Sequence, residues 1–113
     1  MWEKMYKKLK EKGVDVNSPG RKKGECLKPY VVIKMSGLNT HAVVSSNMEY
    51  YDVMCYVPHD KYSQLEGYKN TIKGSLKELY PMVRETGAET PSFYDDTVKG
   101  HMVSIMYVNY KKK

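Results

Sequence analysis

The segment from Met48 to Pro81 has the clearest alternation of apolar and polar positions, and it predicts a strand that leads into a helix. In residues 48–57, apolar side chains occupy every second position and share one face of the predicted strand: Tyr51, Val53, Cys55 and Val57. In residues 61–80, apolar side chains recur at spacings of three and four, which indicates an amphipathic helix: Leu65, Tyr68, Ile72, Leu76 and Leu79.

The ends of this helix are marked as well. Pro58 ends the strand, Asp60 stands where a side chain would cap the first helical turn, and Pro81 follows the last apolar position. The face opposite the apolar stripe carries three lysines, which we expect to face solvent: Lys69, Lys73 and Lys77.

Four more segments complete the order of elements. Residues 2–12 predict a short helix that ends at Gly13. Its apolar stripe is Trp2, Met5, Tyr6 and Leu9. Apolar runs at 30–35, 82–86 and 101–110 predict three further strands, whereas 14–28 and 87–96 are rich in turn-forming residues and predict loops.

This order predicts an α+β fold with a mainly antiparallel four-stranded sheet. The long helix is expected to pack on one face of the sheet, and the short N-terminal helix to pack outside. A chain of 113 residues suits a single domain: an N-terminal helix (1–13), a basic loop (14–28), a sheet and helix core (30–110) and a basic tail (111–113). The predicted core consists of Val31, Ile33, Val53, Cys55, Leu65, Ile72, Leu76, Val103 and Ile105.

Composition adds two features, a high tyrosine content and basic chain ends. Tyrosine occurs eleven times, against one Phe and one Trp, and it suits half-buried positions in thin domains and at protein contacts. The net charge is +6, with the positive charge at both ends around a slightly acidic middle. A basic end can meet phosphate, an acidic protein or only solvent. No apolar stretch is long enough to predict a membrane span or a signal peptide.

The residues that could carry chemistry do not form a recognisable catalytic or metal-binding motif. The three histidines, His41, His59 and His101, lack a cysteine or carboxylate at a metal-ligand spacing. Asp95 and Asp96 are adjacent acids in a turn-rich segment, and such pairs are usually solvated. A Cys55–His59 nucleophile pair is disfavoured, because Cys55 belongs to the apolar strand face and His59 to the following turn. We therefore expect no enzyme activity, no cofactor and no metal.

The basic loop offers a different possibility, contact with nucleic acid. Its cations could contact phosphates without reading sequence, together with Lys111 to Lys113: Arg21, Lys22, Lys23 and Lys28. The sequence shows no recognition helix and no aromatic–basic pattern of an RNA-binding sheet. Specific nucleic-acid binding is therefore disfavoured, and weak electrostatic contact stays open.

The element order resembles a known protein family. Three segments carry the resemblance: the strand Glu49–Pro58, the helix Tyr62–Tyr80 that follows it, and the closing strand Gly100–Tyr110. Together they are similar to the tail terminator (tail completion) proteins of tailed phages and of phage-tail-like contractile particles. The resemblance implies a homo-oligomeric ring, usually a hexamer, that caps the tail tube, stops its growth and joins it to the neck or collar.

Partners and location follow from the same resemblance. It implies contacts with the tube protein, and with sheath and neck or connector proteins, with DNA only as passing cargo. The protein would belong to a virion or tail-like particle assembled in the cytoplasm of a bacterial host. The alternatives are a head–tail connector or neck-joining protein, or a small nucleic-acid-associated domain of a mobile element.

A ring requires surfaces for subunit or tube contact. Tyr50, Met54 and Tyr56 lie on the strand face opposite Val53 and Cys55. That face could be covered by the N-terminal helix or by a neighbouring subunit, and we favour the neighbour. Trp2 and Tyr6 of the N-terminal helix complete the predicted interface, and the basic loop is the predicted lumen or phosphate contact.

Overall fold

The computed structural model describes residues 1–35 and 48–110, without the side chains of Met48 and Tyr110. The predicted basic tail 111–113 and His41 lie outside the described residues. The helices are α1 (Trp2–Glu11) and α2 (Leu65–Leu76). The strands are β1 (Val16–Asn17), β2 (Tyr30–Met35), β3 (Met48–Pro58), β4 (Val83–Glu89), β5 (Phe93–Asp95) and β6 (Gly100–Tyr110).

The fold is α+β, but the predicted four-stranded antiparallel sheet was wrong. Within the described ranges the strands form one six-stranded mixed sheet in the order β1-β2-β3-β6-β4, and β5 pairs with β6 beyond β4. The β1–β2 pair is parallel, and the other pairs are antiparallel. The four predicted strands are present as β2, β3, β4 and β6.

The two missed strands are short and lie in segments with strong turn signals. β1 has only two residues, which is too few for a visible alternation of side chains. β5 follows Pro91 inside a predicted loop. β4 continues to Glu89 although Gly87 has a φ of +92°, because an irregularity in register between Glu85 and Glu89 accommodates the glycine. The predicted loop 87–96 is therefore mostly an edge of the sheet.

The predicted long helix is shorter than expected. Its α-helical part is α2, and single 3₁₀ turns flank it at Tyr62–Gln64 and Lys77–Leu79. Asp60 does not cap it, since the N-cap is Gln64 and no side-chain hydrogen bond is made there. Gly67 and Gly74 lower the helix propensity of this segment, so its stability depends on the packing of its apolar face.

Both helices lie on the same face of the sheet, which we call the helix face. The predicted core is confirmed, and all nine of its residues belong to one buried cluster. Met5 and Leu9 of α1 are fully buried in this cluster, so the prediction that the N-terminal helix packs outside was wrong. The cluster also includes Val16, Tyr51, Val57, Leu79, Val83 and Tyr107.

Two lysines of α2 were predicted to face solvent, and that prediction was wrong. The Lys69 side chain is only 12% exposed, and its Nζ lies 2.9 Å from Oε1 of Glu89. The Nζ of Lys73 lies 2.5 Å from Oε2 of Glu89 and 3.2 Å from Oε1 of Glu85. These ion pairs connect α2 to β4, so the charged side of the helix is bound to the edge of the sheet. Lys77 is exposed, as predicted.

Candidate assembly surface

The face of the sheet opposite the two helices, which we call the open face, is built from aligned rows of side chains. Strand register places four apolar side chains in one row across four strands: Phe93, Met102, Tyr56 and Tyr30. The next rows are Ser104, Met54 and Val32, then Met106, Asp52 and Lys34, then Arg84, Val108 and Tyr50. The open face is therefore mainly aromatic, methionine and valine, and its charged residues are Lys34, Asp52 and Arg84. Five of its side chains are buried within the subunit: Tyr30, Val32, Met102, Ser104 and Val108.

The structure places the three strand residues of the predicted interface together. Tyr50, Met54 and Tyr56 are half-buried on the open face, opposite the fully buried Val53 and Cys55. Neither α1 nor α2 contributes to the side-chain cluster described on this face. The N-terminal helix was one of the two candidates to cover this strand face, and it does not cover it. The role of the face as an interface stays a prediction.

Sequence reasoning missed several members of the open face. Phe93 is 47% exposed and lies in the unpredicted strand β5, so no alternation pointed to it. Met102 lies in a nearly continuous apolar run, and such runs do not reveal which side chains share a face. The register of β6 against β3 is the observation that adds it to the open face.

Part of the open face is covered by the basic loop. Cys26 is buried against Tyr30 and Val32, and half-buried Met54, Tyr56 and Val98 pack against this cluster. The backbone amide of Cys26 donates to the carbonyl oxygen of Val98. The rings of Tyr30 and Tyr56 are stacked with centroids 4.7 Å apart, and burial raises the pKa of both phenols. The loop thus covers one end of the open face.

Gly100 allows this close approach of the loop. A Cβ at that position would lie 2.8 Å from the carbonyl oxygen of Val57 and 3.0 Å from Cβ of Cys26. Both distances are at or below the limit that real Cβ contacts reach. Glycine is therefore required where the loop meets the ends of β3 and β6.

Trp2 and Tyr6 lie away from the open face. Their rings are stacked with centroids 5.1 Å apart, and both pack against the cluster of the helix face. The indole Nε1 of Trp2 donates to the carbonyl oxygen of Ile33 at 2.7 Å. Among the described residues, β1 pairs with β2 only as far as Val32, so the indole donates to β2 where the next residue of a neighbouring strand would. Trp2 closes a sheet edge within the subunit.

The four cations of the basic loop are not equivalent. The Nζ of Lys22 lies 2.8 Å from Oδ2 of Asp15 and 5.2 Å from the centre of the Tyr30 ring. Arg21, Lys23 and Lys28 are exposed. The structure therefore places the basic loop beside the open face. One of the four predicted phosphate contacts, Lys22, is already paired within the subunit.

The remaining polar candidates are dispersed. Burial raises the pKa of Cys55 to about 12, so its thiol stays protonated at neutral pH. His59 is exposed, and its carbonyl oxygen lies 3.2 Å from Nε2 of His101. Asp95 accepts from the backbone amide of Thr97 in a turn. Within the described ranges, no three His, Cys, Asp or Glu side chains are grouped as metal ligands would be.

A cleft of about 330 Å³ lies between the C-terminal end of α2 and β4, and we call it the helix–strand cleft. Leu76, Val83 and Tyr107 contribute apolar surface to it, and its charged lining residues are Lys73, Lys77, Arg84 and Glu85. The guanidinium of Arg84 lies 5.7 Å from the centre of the Tyr80 ring, which also lines the cleft. No sequence signal pointed to this cleft, because its residues come from a helix end and two strands.

Comparison with known proteins adds no family. No family model matches the chain, and no curated protein matches it. None of the helices that the structure describes is both long and apolar enough to span a membrane. The geometry of the open face and the resemblance of the three sequence segments are therefore the grounds for a functional proposal.

Proposed function

We propose that this protein is a structural assembly protein, whose copies associate through the open face into a ring at the end of a phage-type tail tube. The ring stops tube growth and joins the tube to the neck or collar. The protein then belongs to a virion or a tail-like particle. The observation that carries the proposal is the row of Phe93, Met102, Tyr56 and Tyr30 on a sheet face that neither helix covers.

The composition of the open face suits contact between protein copies. Aromatic and methionine side chains are enriched at the buried centres of protein interfaces, and scattered lysine and glutamate are depleted there. The partner that we assign to this face is a second copy of the chain. A ring requires head-to-tail contacts, so the open face of one copy would meet a different surface of the next copy, and Lys34 and Asp52 offer both signs of charge to that surface.

The tail-tube part of the proposal rests on the resemblance. The strand β3, the helix that follows it and the closing strand β6 are the segments that resemble tail terminators, and β3 and β6 provide the centre of the open face. A head–tail connector or neck-joining protein has the same requirement for lateral contacts between copies, and it is the alternative within virion proteins.

The nucleic-acid alternative has weaker support. Lys22 is paired with Asp15, which leaves fewer cations of the basic loop for phosphates. The two functions also predict opposite responses to salt. Copies with a net charge of +6 repel one another, so salt should favour association through the open face, whereas salt weakens phosphate contact.

The test is the solution mass of the full chain by light scattering behind a sizing column, alone and with the tube protein of the same particle. We expect a closed assembly, which for six copies of 13.1 kDa has a mass of about 79 kDa, in at least one of the two samples and at moderate salt. Phe93→Asp should abolish the assembly. Met82→Asp is the matched control, because Met82 is similarly exposed at 43% and lies outside the open face.

A monomer in both samples would contradict the proposal. Retention on DNA that is lost as salt increases, together with a monomeric mass, would favour the nucleic-acid alternative instead. Assembly that survives Phe93→Asp would show that the contact does not involve the open face.

A further inference from the structure

The two outer edges of the sheet differ from each other, which is what a head-to-tail contact between copies requires. The strand order places β2, with the two-residue β1, at one edge, and β4 and β5 at the other. Each edge carries a large exposed apolar side chain: Met35 at the end of β2 is 55% exposed, and Phe93 on β5 is 47% exposed. A contact between these unlike edges can repeat from one copy to the next.

An open groove lies along the β2 edge, and we call it the edge groove. It has a volume of about 510 Å³ and is lined by Trp2, Ser18, Pro19, Ile33, Lys34 and Met35. The lining is mostly apolar, and Lys34 is the one charged residue among the described residues that form it. The hydrogen bond from the indole of Trp2 to the carbonyl oxygen of Ile33 holds the aromatic wall of the groove in place. The groove is large enough for an aromatic side chain and its neighbours.

The charges beside the edge groove favour an acidic partner. Asp52 lies opposite Lys34 in register, but the two form no ion pair within the described ranges. Lys10 and Arg21 line the adjoining polar cleft. Asp15 lines that cleft as well, and its carboxylate is already paired with a lysine of the basic loop. The side chains that line the groove and the adjoining cleft therefore carry a net positive charge.

The opposite edge of the sheet carries the complementary chemistry. Phe93 and Tyr94 of β5 are 47% and 45% exposed, and Asp95 and Asp96 follow them directly. Asp95 accepts a hydrogen bond from a backbone amide of the following turn. Asp96 is exposed and forms no ion pair among the described residues. The next charged residue along the chain is Lys99, so residues 93–96 combine two exposed rings with two carboxylates.

We propose that the edge groove of one copy receives residues 93–96 of the next copy. The ring of Phe93 packs against Trp2 and Met35, and the ammonium group of Lys34 meets the carboxylate of Asp96. This inference rests on the proposed function, and it names the surface that the Phe93 end of the open face meets in the neighbouring copy. One such contact is smaller than the roughly 1,200 Å² that a stable interface buries, so we expect a single isolated segment to bind weakly.

The experiment is a titration of the full chain that carries Phe93→Asp with a peptide of the sequence of residues 90–98. The substitution should keep the chain monomeric and its edge groove unoccupied. Trp2 is the single tryptophan of the chain and the peptide contains none, so tryptophan emission reports on the groove. We expect the emission to move to shorter wavelength, because the rings of the peptide displace water from the indole. A peptide with Phe93→Ala should bind at least about tenfold more weakly.

Substitutions in the groove test its two kinds of contact. Met35→Asp should weaken peptide binding by about tenfold, because it places a negative charge where the acidic peptide packs. Met82→Asp is the matched control: Met82 is 43% exposed, does not line the edge groove, and should leave peptide binding unchanged. Lys34→Glu should weaken binding by roughly two- to fivefold, and a peptide with Asp96→Lys should recover that loss.

The outcomes separate this inference from the proposed function. If the parent chain assembles and Phe93→Asp prevents assembly, but the peptide leaves the Trp2 emission unchanged, the open face is the contact and the edge groove is not its partner. If the parent chain stays monomeric but the peptide binds and Met35→Asp weakens that binding, the groove contact is supported and the ring is contradicted. Peptide binding that survives Met35→Asp, or that Met82→Asp weakens equally, would overturn the inference.

Discussion

The helix face and the open face consist of alternate residues of the same strands, yet they are covered in different ways. On the helix face, α1 and α2 bury residues such as Val53 and Ile105 almost completely. On the open face, within the described residues, the loop around Cys26 covers one end; Tyr50, Met54 and Met106 are half-buried, whereas Ser104 and Val108 are buried. The comparison indicates that the helix face specifies the fold, while part of the open face, such as Phe93, Met54 and Met106, keeps exposed apolar surface.

The largest expected difference between the two faces is in stability. Ile72→Ala or Leu76→Ala should lower the free energy of unfolding by roughly 2–5 kcal/mol, because each removes a fully buried side chain and leaves a cavity. Met54→Ala on the open face should cost about 1 kcal/mol, since that side chain is only half-buried. Urea denaturation of the three variants measures both values. Equal losses in the free energy of unfolding on the two faces would contradict the view that the helix face specifies the fold.

The second prediction concerns the loop that covers one end of the open face. Gly100→Ala should lower the free energy of unfolding by about 1–3 kcal/mol, because the new Cβ meets the backbone of Val57 and the side chain of Cys26. Gly74→Ala is the matched control: its Cβ would meet nothing within 4 Å, and it should stabilise α2 by about 0.5–1 kcal/mol. Thermal unfolding of the two variants tests this. A stable Gly100→Ala would mean that the loop does not need this close contact.

The smallest expected effect concerns the ion pairs that hold α2 to the sheet edge. Hydrogen bonds from Lys73 and Lys69 lower the pKa of Glu89 below its ordinary value of 4.5. The stabilisation is therefore present above pH 4.5 and is lost as the pH falls through the lowered pKa. Glu89→Gln should cost about 0.5–1 kcal/mol at pH 7 and less at acidic pH.

The matched control for Glu89 is a carboxylate on the same network. Glu66→Gln should have little effect at any pH, because the Glu66 side chain is 74% exposed and contacts only Lys69 among the ion pairs of the described residues. Denaturant unfolding between pH 3 and pH 7 measures both variants. A difference between Glu89→Gln and the parent chain that grows as the pH falls would contradict the assigned role of this carboxylate.

The helix face was the predictable part of the molecule. Alternation in β3 and the spacing of apolar residues from Leu65 to Leu79 report directly on which side chains are buried together. These two patterns identified five of the nine predicted core residues, all of which are buried in one cluster: Val53, Cys55, Leu65, Ile72 and Leu76. They did not place α1, because a helical stripe shows that a helix packs on something and does not show which surface it meets.

The open face and the cleft were less predictable for physical reasons. Membership of the open face depends on the register between strands, which joins Phe93 to Met102 and Tyr56 although they are far apart in sequence. The two-residue strand β1 and the Pro-preceded β5 have no pattern of their own, so the sheet was expected to have four strands rather than six. The helix–strand cleft joins residues of a helix end and two strands, so no single segment of the sequence indicates it.

Association of the copies through the open face is best tested by hydroxyl-radical footprinting of the protein before and after assembly, read by mass spectrometry. We expect Phe93 and Tyr56 on the open face to lose reactivity in the assembly, while Met82 and Tyr62, which are exposed elsewhere, keep theirs. An assembly in which Phe93 and Tyr56 stay as reactive as in the monomer would show that the copies associate through another surface.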